Sequence, residues 1–182
     1  DELSADSTEG YAEAQFKQQG ARLRRERQLV GLLLKPNTEP GELDQAARVA
    51  GWRVPGNLAA LACHERDLAE VTRVLPIGVI SATVDGSGCV AVPDPVGPGR
   101  LKEISAALGA RTCAMGPPGD PSRFADSWQL ARIAFEAADA GALPSDRLIR
   151  AEENLVDLAL YRSRDLIARL RGMDLGRRLL IS

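Results

Sequence analysis

The sequence predicts an α+β fold built on an antiparallel sheet, and three observations support this prediction. Residues 78–84 and 89–92 are short apolar runs joined by residues 85–88, Asp-Gly-Ser-Gly, which is typical of a β-hairpin. A strand-like run and a helical pattern precede this hairpin. A second helical pattern and a further strand-like run follow it. The order of elements over residues 57–116 is therefore β-α-β-β-α-β.

Each element of this unit has its own local signal. The predicted elements are a strand at 57–63, a helix at 66–74, the two hairpin strands, a helix at 100–108 and a strand at 111–116. In helix 100–108 the apolar residues Leu101, Ile104 and Leu108 are three and four apart, and Gly109 is a suitable C-cap. This order is that of the ferredoxin-like fold, in which two helices cover one face of an antiparallel sheet.

A long helix is predicted at Gly10–Leu34, after irregular residues 1–8. Apolar residues recur seven apart at Phe16, Leu23 and Val30, a spacing that indicates a signalling or dimerisation helix. Gln19 and Gly20 interrupt the pattern, and it has fewer heptads than a coiled coil requires, so a paired helix and an unpaired helix both stay open. The arginines of this stretch favour a solvated face over a phosphate contact; they are Arg22, Arg24, Arg25 and Arg27.

The remaining chain is predicted to be mostly helical. A break at residues 36–40 precedes a short helix at Glu42–Ala50. A longer helix is predicted at Pro121–Ala140, with Asp120 as its N-cap. Its aromatic residues, Phe124, Trp128 and Phe135, follow a helical spacing that favours core packing over a ligand site. A fifth strand at Leu148–Arg150, helices at 152–161 and 164–171 and a weakly defined end at 172–182 complete the prediction.

These elements divide the chain into three parts. Residues 1–35 form an N-terminal linker or signalling helix, residues 36–150 the α+β domain, and residues 151–182 a small C-terminal helical segment. Only 4% of the 182 residues are aromatic while 45% are hydrophobic, so the core is expected to consist of small aliphatic side chains.

Composition and charge exclude several classes of protein. The 23 basic and 25 acidic residues give a net charge of −2, which provides no overall basic field for nucleic acid. No apolar run has the length of a membrane span, and the acidic start is unlike a signal peptide, so a cytoplasmic protein without a membrane partner is expected. Cys63, Cys89 and Cys113 are far apart in apolar segments and are expected to be reduced, buried thiols.

Four stretches of the chain resemble the PucR/CdaR class of bacterial transcriptional regulators, in particular their GGDEF-like middle domain. They are residues 1–11 (Asp-Glu-Leu-Ser-Ala to Glu-Gly-Tyr), 27–33 (Arg-Gln-Leu-Val-Gly-Leu-Leu), 90–99 (Val-Ala-Val-Pro-Asp-Pro and Gly-Pro-Gly) and 125–144 (Ala-Asp-Ser-Trp-Gln-Leu-Ala-Arg and Gly-Ala-Leu-Pro). The resemblance implies a sensory domain before this one and a DNA-binding helix-turn-helix after it. The sequence ends at Ser182 without a recognisable helix-turn-helix, so contact with DNA is expected only through a domain absent from this chain.

The candidate chemistry of the chain favours regulation over catalysis. A diguanylate cyclase, the catalytic relative implied by the resemblance, carries Gly-Gly-Asp/Glu-Glu-Phe at the hairpin tip, where this chain has a single carboxylate, Asp85. A thiolate zinc site from His64 and the three cysteines is disfavoured because no Cys-x-x-Cys pair exists. Ser87 and Ser127 have no histidine nearby in sequence, and Glu152 and Glu153 are expected to cap a helix.

No catalytic, cofactor-binding or metal-binding residue is therefore predicted, and no cofactor is expected. The sequence predicts a non-catalytic regulatory and dimerisation domain that relays a signal to a DNA-binding module, with a second copy of the chain as its partner. The alternative is a sensor domain that binds a small-molecule effector or a nucleotide in a degenerate cyclase cleft.

Overall fold

The computed structural model describes residues 3–36, 38–76 and 78–164, which form a five-stranded sheet with helices on both faces. The helices are α1 (Leu3–Leu34), α2 (Pro40–Ala50), α3 (Leu68–Val74), α4 (Arg100–Leu108), α5 (Phe124–Asp139) and α6 (residues 155–164). The strands are β1 (Leu58–His64), β2 (Ile80–Val84), β3 (Ser87–Pro93), β4 (Cys113–Met115) and β5 (Ile149–Arg150). None of the described helices is long and apolar enough to cross a membrane.

The strand order is β2-β3-β1-β4-β5. The first four strands pair antiparallel, in the order that the ferredoxin-like β-α-β-β-α-β unit requires, so the predicted α+β fold class is confirmed. The predicted fifth strand is also present, and it adds to β4 in parallel. Strand β4 is shorter than its predicted range because only Cys113–Met115 enter the ladder.

Alternate residues of β1 serve two separate layers of the core. Leu58, Ala60 and Ala62 belong to the core layer on one face of the sheet, which also contains residues of α1, α2 and α5. The odd-numbered residues of the same strand, Ala59, Leu61 and Cys63, pack with α3 and α4 on the other face. Because both faces are covered, nearly all of β1 is buried, which explains why its sequence is continuously apolar and not alternating.

Helix α1 begins earlier and is joined to the sheet more firmly than its sequence indicates. The helix starts at Leu3, so the expectation that residues 1–8 are irregular is wrong for the described residues of that segment. The helix also continues without a break through Gln19 and Gly20. Leu29, Val30 and Leu33 are buried in the same core layer as α5. The last turns of α1 therefore belong to the core of the α+β domain, although the sequence prediction placed that domain after residue 35.

The break after α1 is fixed by hydrogen bonds. The Thr38 hydroxyl donates to the carbonyl oxygens of Leu32 (2.6 Å) and Lys35 (3.1 Å), which lie in the last turn of α1 and just beyond it. Helix α2 begins at Pro40, two residues before its predicted start, and ends at Ala50. Gly51, with a φ of 67°, forms its left-handed C-cap. The two hydrogen bonds hold the Thr38 side chain against the end of α1.

The C-terminal part differs from its prediction in two details. Glu152 and Glu153 do not cap a helix; they lie in a 3₁₀ turn, residues 151–153, where both carboxylates pair with Arg150. The helix predicted at 152–161 is α6, displaced to residues 155–164. Apart from Arg164, the predicted helix at 164–171 and the chain end at 172–182 lie outside the described residues.

The start of α5 gives a test of the predicted N-cap. Asp120 Oδ1 accepts a hydrogen bond from the backbone N–H of Ser122 at 2.9 Å, before the 3₁₀ turn that opens the helix. Replacing Asp120 with alanine is expected to lower the free energy of unfolding by about 1 kcal/mol at neutral pH. Urea unfolding measures the loss, and Asp120→Asn, which keeps a side-chain acceptor, is the control.

The stability that Asp120 contributes is expected to depend on pH. Hydrogen bonds from the side chain and the backbone N–H of Ser122 lower the pKa of the Asp120 carboxyl below its usual value. Because the folded-state pKa is the lower one, the stabilisation is present above the unfolded-state pKa and is lost as the pH falls through the folded-state pKa. The difference between wild type and Asp120→Ala should shrink in acid, and an unchanged difference would contradict this role.

Candidate functional site

The hairpin turn is the part of the chain that the sequence analysis compared with the acidic tip of a diguanylate cyclase. The turn consists of Asp85 and Gly86 alone, with φ values of 49° and 78°, while Ser87 and Gly88 belong to β3. Two consecutive residues with positive φ form the tight turn that Asp-Gly favours between twisted strands. Asp85 is exposed and its backbone conformation is accounted for by the turn.

The single histidine lies next to this turn and is bound to α5. His64 is opposite Ser87 in the ladder between β1 and β3. Its Nε2 lies 3.1 Å from Asp139 Oδ1, and its ring meets the ring of Phe135 edge-on at a centroid distance of 4.9 Å. His64 therefore joins the end of β1 to the end of α5, where it has no cysteine partner.

The three cysteines do not meet at one place. Cys63 and Cys113 are opposite each other in neighbouring strands, on the face covered by α3 and α4. Cys89 is opposite Ala62 and faces the other core layer. Within residues 3–36, 38–76 and 78–164, no group of three side chains with metal-ligating atoms is close enough to hold a metal ion.

Burial governs the chemistry of these thiols. It raises the pKa of Cys63 and of Cys113 from 9.0 to about 12, and it raises the pKa of Cys89 as well. Since the thiolate is the reactive form, we expect a disulfide reagent to modify no thiol in the folded protein and three thiols in guanidinium chloride. The pKa of each of these thiols is higher in the folded protein than in the unfolded chain, so only the unfolded chain loses the thiol protons between pH 9 and pH 12. The free energy of unfolding should therefore fall as the pH rises from 9 towards 12. Rapid modification of one thiol in native buffer would contradict the burial.

Several of the remaining candidates from the sequence make contacts within the fold. The buried Ser127 hydroxyl accepts a hydrogen bond from the backbone N–H of Ala60 at 2.9 Å, which fixes α5 on β1. The aromatic residues of α5 are buried in the core, as predicted. Of the arginines in α1, Arg22 Nε binds Glu26 Oε1 at 2.7 Å, and Glu26 is itself 8% exposed.

Two open clefts lie beside α1 where it crosses the edge strand β2. The first, here called the Trp52 cleft, has a volume of about 650 Å³ and lies at the end of β2 away from the hairpin turn. Its lining residues are Gln18, Gln19, Arg22, Arg25, Glu26, Leu29, Ala50, Gly51, Trp52, Gly78, Val79 and Ile80. The second, of about 640 Å³, separates α1 from α3. Sequence reasoning missed the Trp52 cleft because it is assembled from three separate segments; the only local signal was a tryptophan next to a helix-ending glycine.

No family model matches the chain, and no curated protein matches its sequence. Among solved structures, the chain is similar to a regulator of polyketide synthase expression from Bifidobacterium adolescentis, at 19% identity and a TM-score of 0.48. The similarity covers 75% of this chain, which spans 58% of the length of that structure. At this level it establishes neither a family nor a function, so the PucR/CdaR class rests on the sequence stretches alone.

Proposed function

We propose that the chain is a non-catalytic regulatory and dimerisation domain of a PucR/CdaR-type transcriptional regulator, and that it relays a signal to a DNA-binding module. The observation that carries this proposal is the attachment of α1 to the sheet. The resemblance of the four sequence stretches supplies the family, and the geometry of α1 supplies the way in which a signal is relayed.

Helix α1 has two parts with different surroundings. Leu29, at 0% exposure, and its neighbours Val30 and Leu33 are buried against the sheet and α5. Residues 17–25 are mostly exposed, and none of them belongs to the buried core. The 32 residues of one continuous helix span roughly 48 Å, so a displacement at the N-terminal end reaches the core layer without an intervening hinge.

The structure limits how α1 can pair with a second copy. Val30, one of the three residues spaced seven apart, is buried in the core of its own chain and is not available to a partner. Leu23 is 61% exposed and remains available. A dimer formed through α1 therefore uses the half of the helix before Glu26, which leaves the buried half attached to the sheet.

The hairpin supports the non-catalytic part of the proposal. The Asp85 backbone is committed to the tight turn, and the neighbouring His64 is held by Asp139 and Phe135. Phosphoryl-transfer sites need metal ions held by several oxygen ligands that converge on the nucleotide. Incubation with GTP or ATP and Mg²⁺ or Mn²⁺ is expected to yield no nucleotidyl product, and formation of a product would overturn this part.

Light scattering tests self-association. The wild-type chain should have twice the 19.5 kDa mass of one chain. Leu23→Glu should have the mass of one chain, because the substitution would place a carboxylate between the two paired helices. Val49→Glu is the matched control, since Val49 is 62% exposed and belongs to α2, not to the paired helix. A single-chain mass for the wild type would contradict the proposal. Deletion of residues 1–35 is unsuitable because it would uncover the sheet.

Val156→Glu distinguishes an alternative dimer surface. Val156 on α6 is 74% exposed, and its neighbours Leu155 and Leu160 are also exposed. If Val156→Glu gives monomers while Leu23→Glu does not, the dimer forms through the C-terminal helices, and the pairing of α1 is wrong. The proposal predicts the reverse pattern.

A further inference from the structure

We propose that the Trp52 cleft is a binding site for a small aromatic carboxylate that carries one negative charge. The site goes beyond the proposed relay function and does not depend on it. It also differs from the degenerate cyclase cleft considered from the sequence, because it lies at the opposite end of β2 from the hairpin turn. Three properties of the cleft support the proposal: its size and apolar base, its charge, and its tryptophan.

The cleft has the size and the lining of a small-molecule site. Its volume of about 650 Å³ lies within the range typical of such sites, roughly 300–1,000 Å³. Leu29, Val79 and Ile80 are buried residues that contribute apolar lining. The amide side chains of Gln18 and Gln19 add hydrogen-bond donors and acceptors on the α1 wall. Apolar surface with a few converging polar groups is the usual composition of ligand sites.

The net positive charge of the cleft favours an anionic ligand. Two arginines and one glutamate line it, and Glu26 is already paired with Arg22 at 2.7 Å. Among the described residues Arg25 makes no ion pair, so one positive charge is left uncompensated. A guanidinium presents a planar set of donors that fits a carboxylate with two parallel hydrogen bonds. A ligand with a single carboxylate balances this charge.

The Trp52 ring favours a ligand with a flat, apolar ring of its own. Trp52 is half-buried between the end of α2 and the start of β2, and its indole N–H donates to the carbonyl oxygen of Gly78 at 2.8 Å. This bond fixes the ring and satisfies its only polar group, which leaves apolar ring surface for contact with the ligand. An aromatic ring and a guanidinium that line the same cleft are a suitable combination for an aromatic acid.

Because of the position of the cleft, a bound ligand would restrain the movement of α1. One wall is α1, and the other two are the end of α2 and the segment before β2. A ligand in the cleft contacts all three and therefore resists movement of α1 relative to the sheet edge. Binding should raise the apparent stability by mass action, as any ligand specific for the folded state does.

Benzoate is the probe that tests the site, because it is the smallest aromatic carboxylate. Isothermal calorimetry on the unmodified chain should show saturable binding of benzoate with a dissociation constant of about 1 mM. Benzamide, which has the ring without the charge, and acetate, which has the charge without the ring, should each bind at least about tenfold more weakly. The chain has two tryptophans, so in Trp128→Phe the fluorescence of Trp52 alone should change along the same binding curve.

Two substitutions locate the site. Arg25→Gln should weaken benzoate binding at least about tenfold, because it removes a charge-assisted pair. Arg24→Gln removes the same charge from an exposed neighbour that does not line the cleft, and it should change binding by less than about twofold. Absence of saturable benzoate binding, or equal weakening by the two substitutions, would overturn the proposal. Equal binding of benzamide would overturn the part that assigns a carboxylate.

Discussion

Replacing Gly116 with alanine is expected to lower the free energy of unfolding by at least about 3 kcal/mol or to prevent folding. A Cβ at Gly116 would lie 1.9 Å from the carbonyl oxygen of Ser127 and 2.6 Å from its carbonyl carbon. Both atoms belong to the backbone of α5, so a side-chain rotation cannot relieve the overlap. The helix would have to move away from the sheet, and the Ser127–Ala60 hydrogen bond would break with that movement.

Gly119→Ala is the matched control for this prediction. Its Cβ would come no closer than 3.9 Å to Arg123 Cβ, which is ordinary contact, and its backbone hydrogen bonds with Leu58 would remain. We expect a change within about 1 kcal/mol for Gly119→Ala. Chemical denaturation of the two variants and the wild type measures both effects. Similar stability of Gly116→Ala and wild type would contradict the close approach of α5 to the sheet.

The second large effect is expected at the buried end of α1. Leu29→Ala should destabilise the protein by about 2–5 kcal/mol, because Leu29 is fully buried and its truncation leaves a cavity between α1 and the sheet. Leu23→Ala, at a residue of the same helix that is 61% exposed in the single chain, should cost less than about 0.5 kcal/mol when unfolding is measured on protein dilute enough to be monomeric. Urea unfolding followed by circular dichroism gives both values.

The contrast between these two leucines decides whether α1 is part of the core. If Leu29→Ala proves as mild as Leu23→Ala, α1 would be a detachable segment, and the relay proposal would lose its mechanical basis. In the expected case, the fluorescence of Trp52 should also shift in Leu29→Ala, since Leu29 and Trp52 line the same cleft.

Local patterns in the sequence were sufficient for much of the fold. Helix α4 has its predicted bounds, Arg100–Leu108, because its apolar spacing and its closing Gly109 coincide. The hairpin is also where its turn residues indicate, although Ser87 and Gly88 extend β3 beyond the prediction. Strand order followed from the succession of elements, since the split β-α-β topology leaves few arrangements.

The sequence was least informative where separate segments meet. The apolar residues at the end of α1 predict an amphipathic helix, but periodicity does not distinguish a partner chain from the helix's own sheet. Glu26 and Trp52 are ordinary residues in their local contexts, and only the fold brings them to one cleft. Gly116 is likewise an ordinary strand-end glycine until α5 is placed against it.

Hydrogen exchange along α1 tests the central claim most directly, namely that this helix is built into the core and transmits movement to the sheet. Mass spectrometry should find the amides of residues 26–34 protected to the same degree as those of β1, because the two segments would open only together. The exposed residues 17–22 should exchange faster. Fast exchange over 26–34 while β1 stays protected would show that α1 detaches from the sheet, and it would contradict the account.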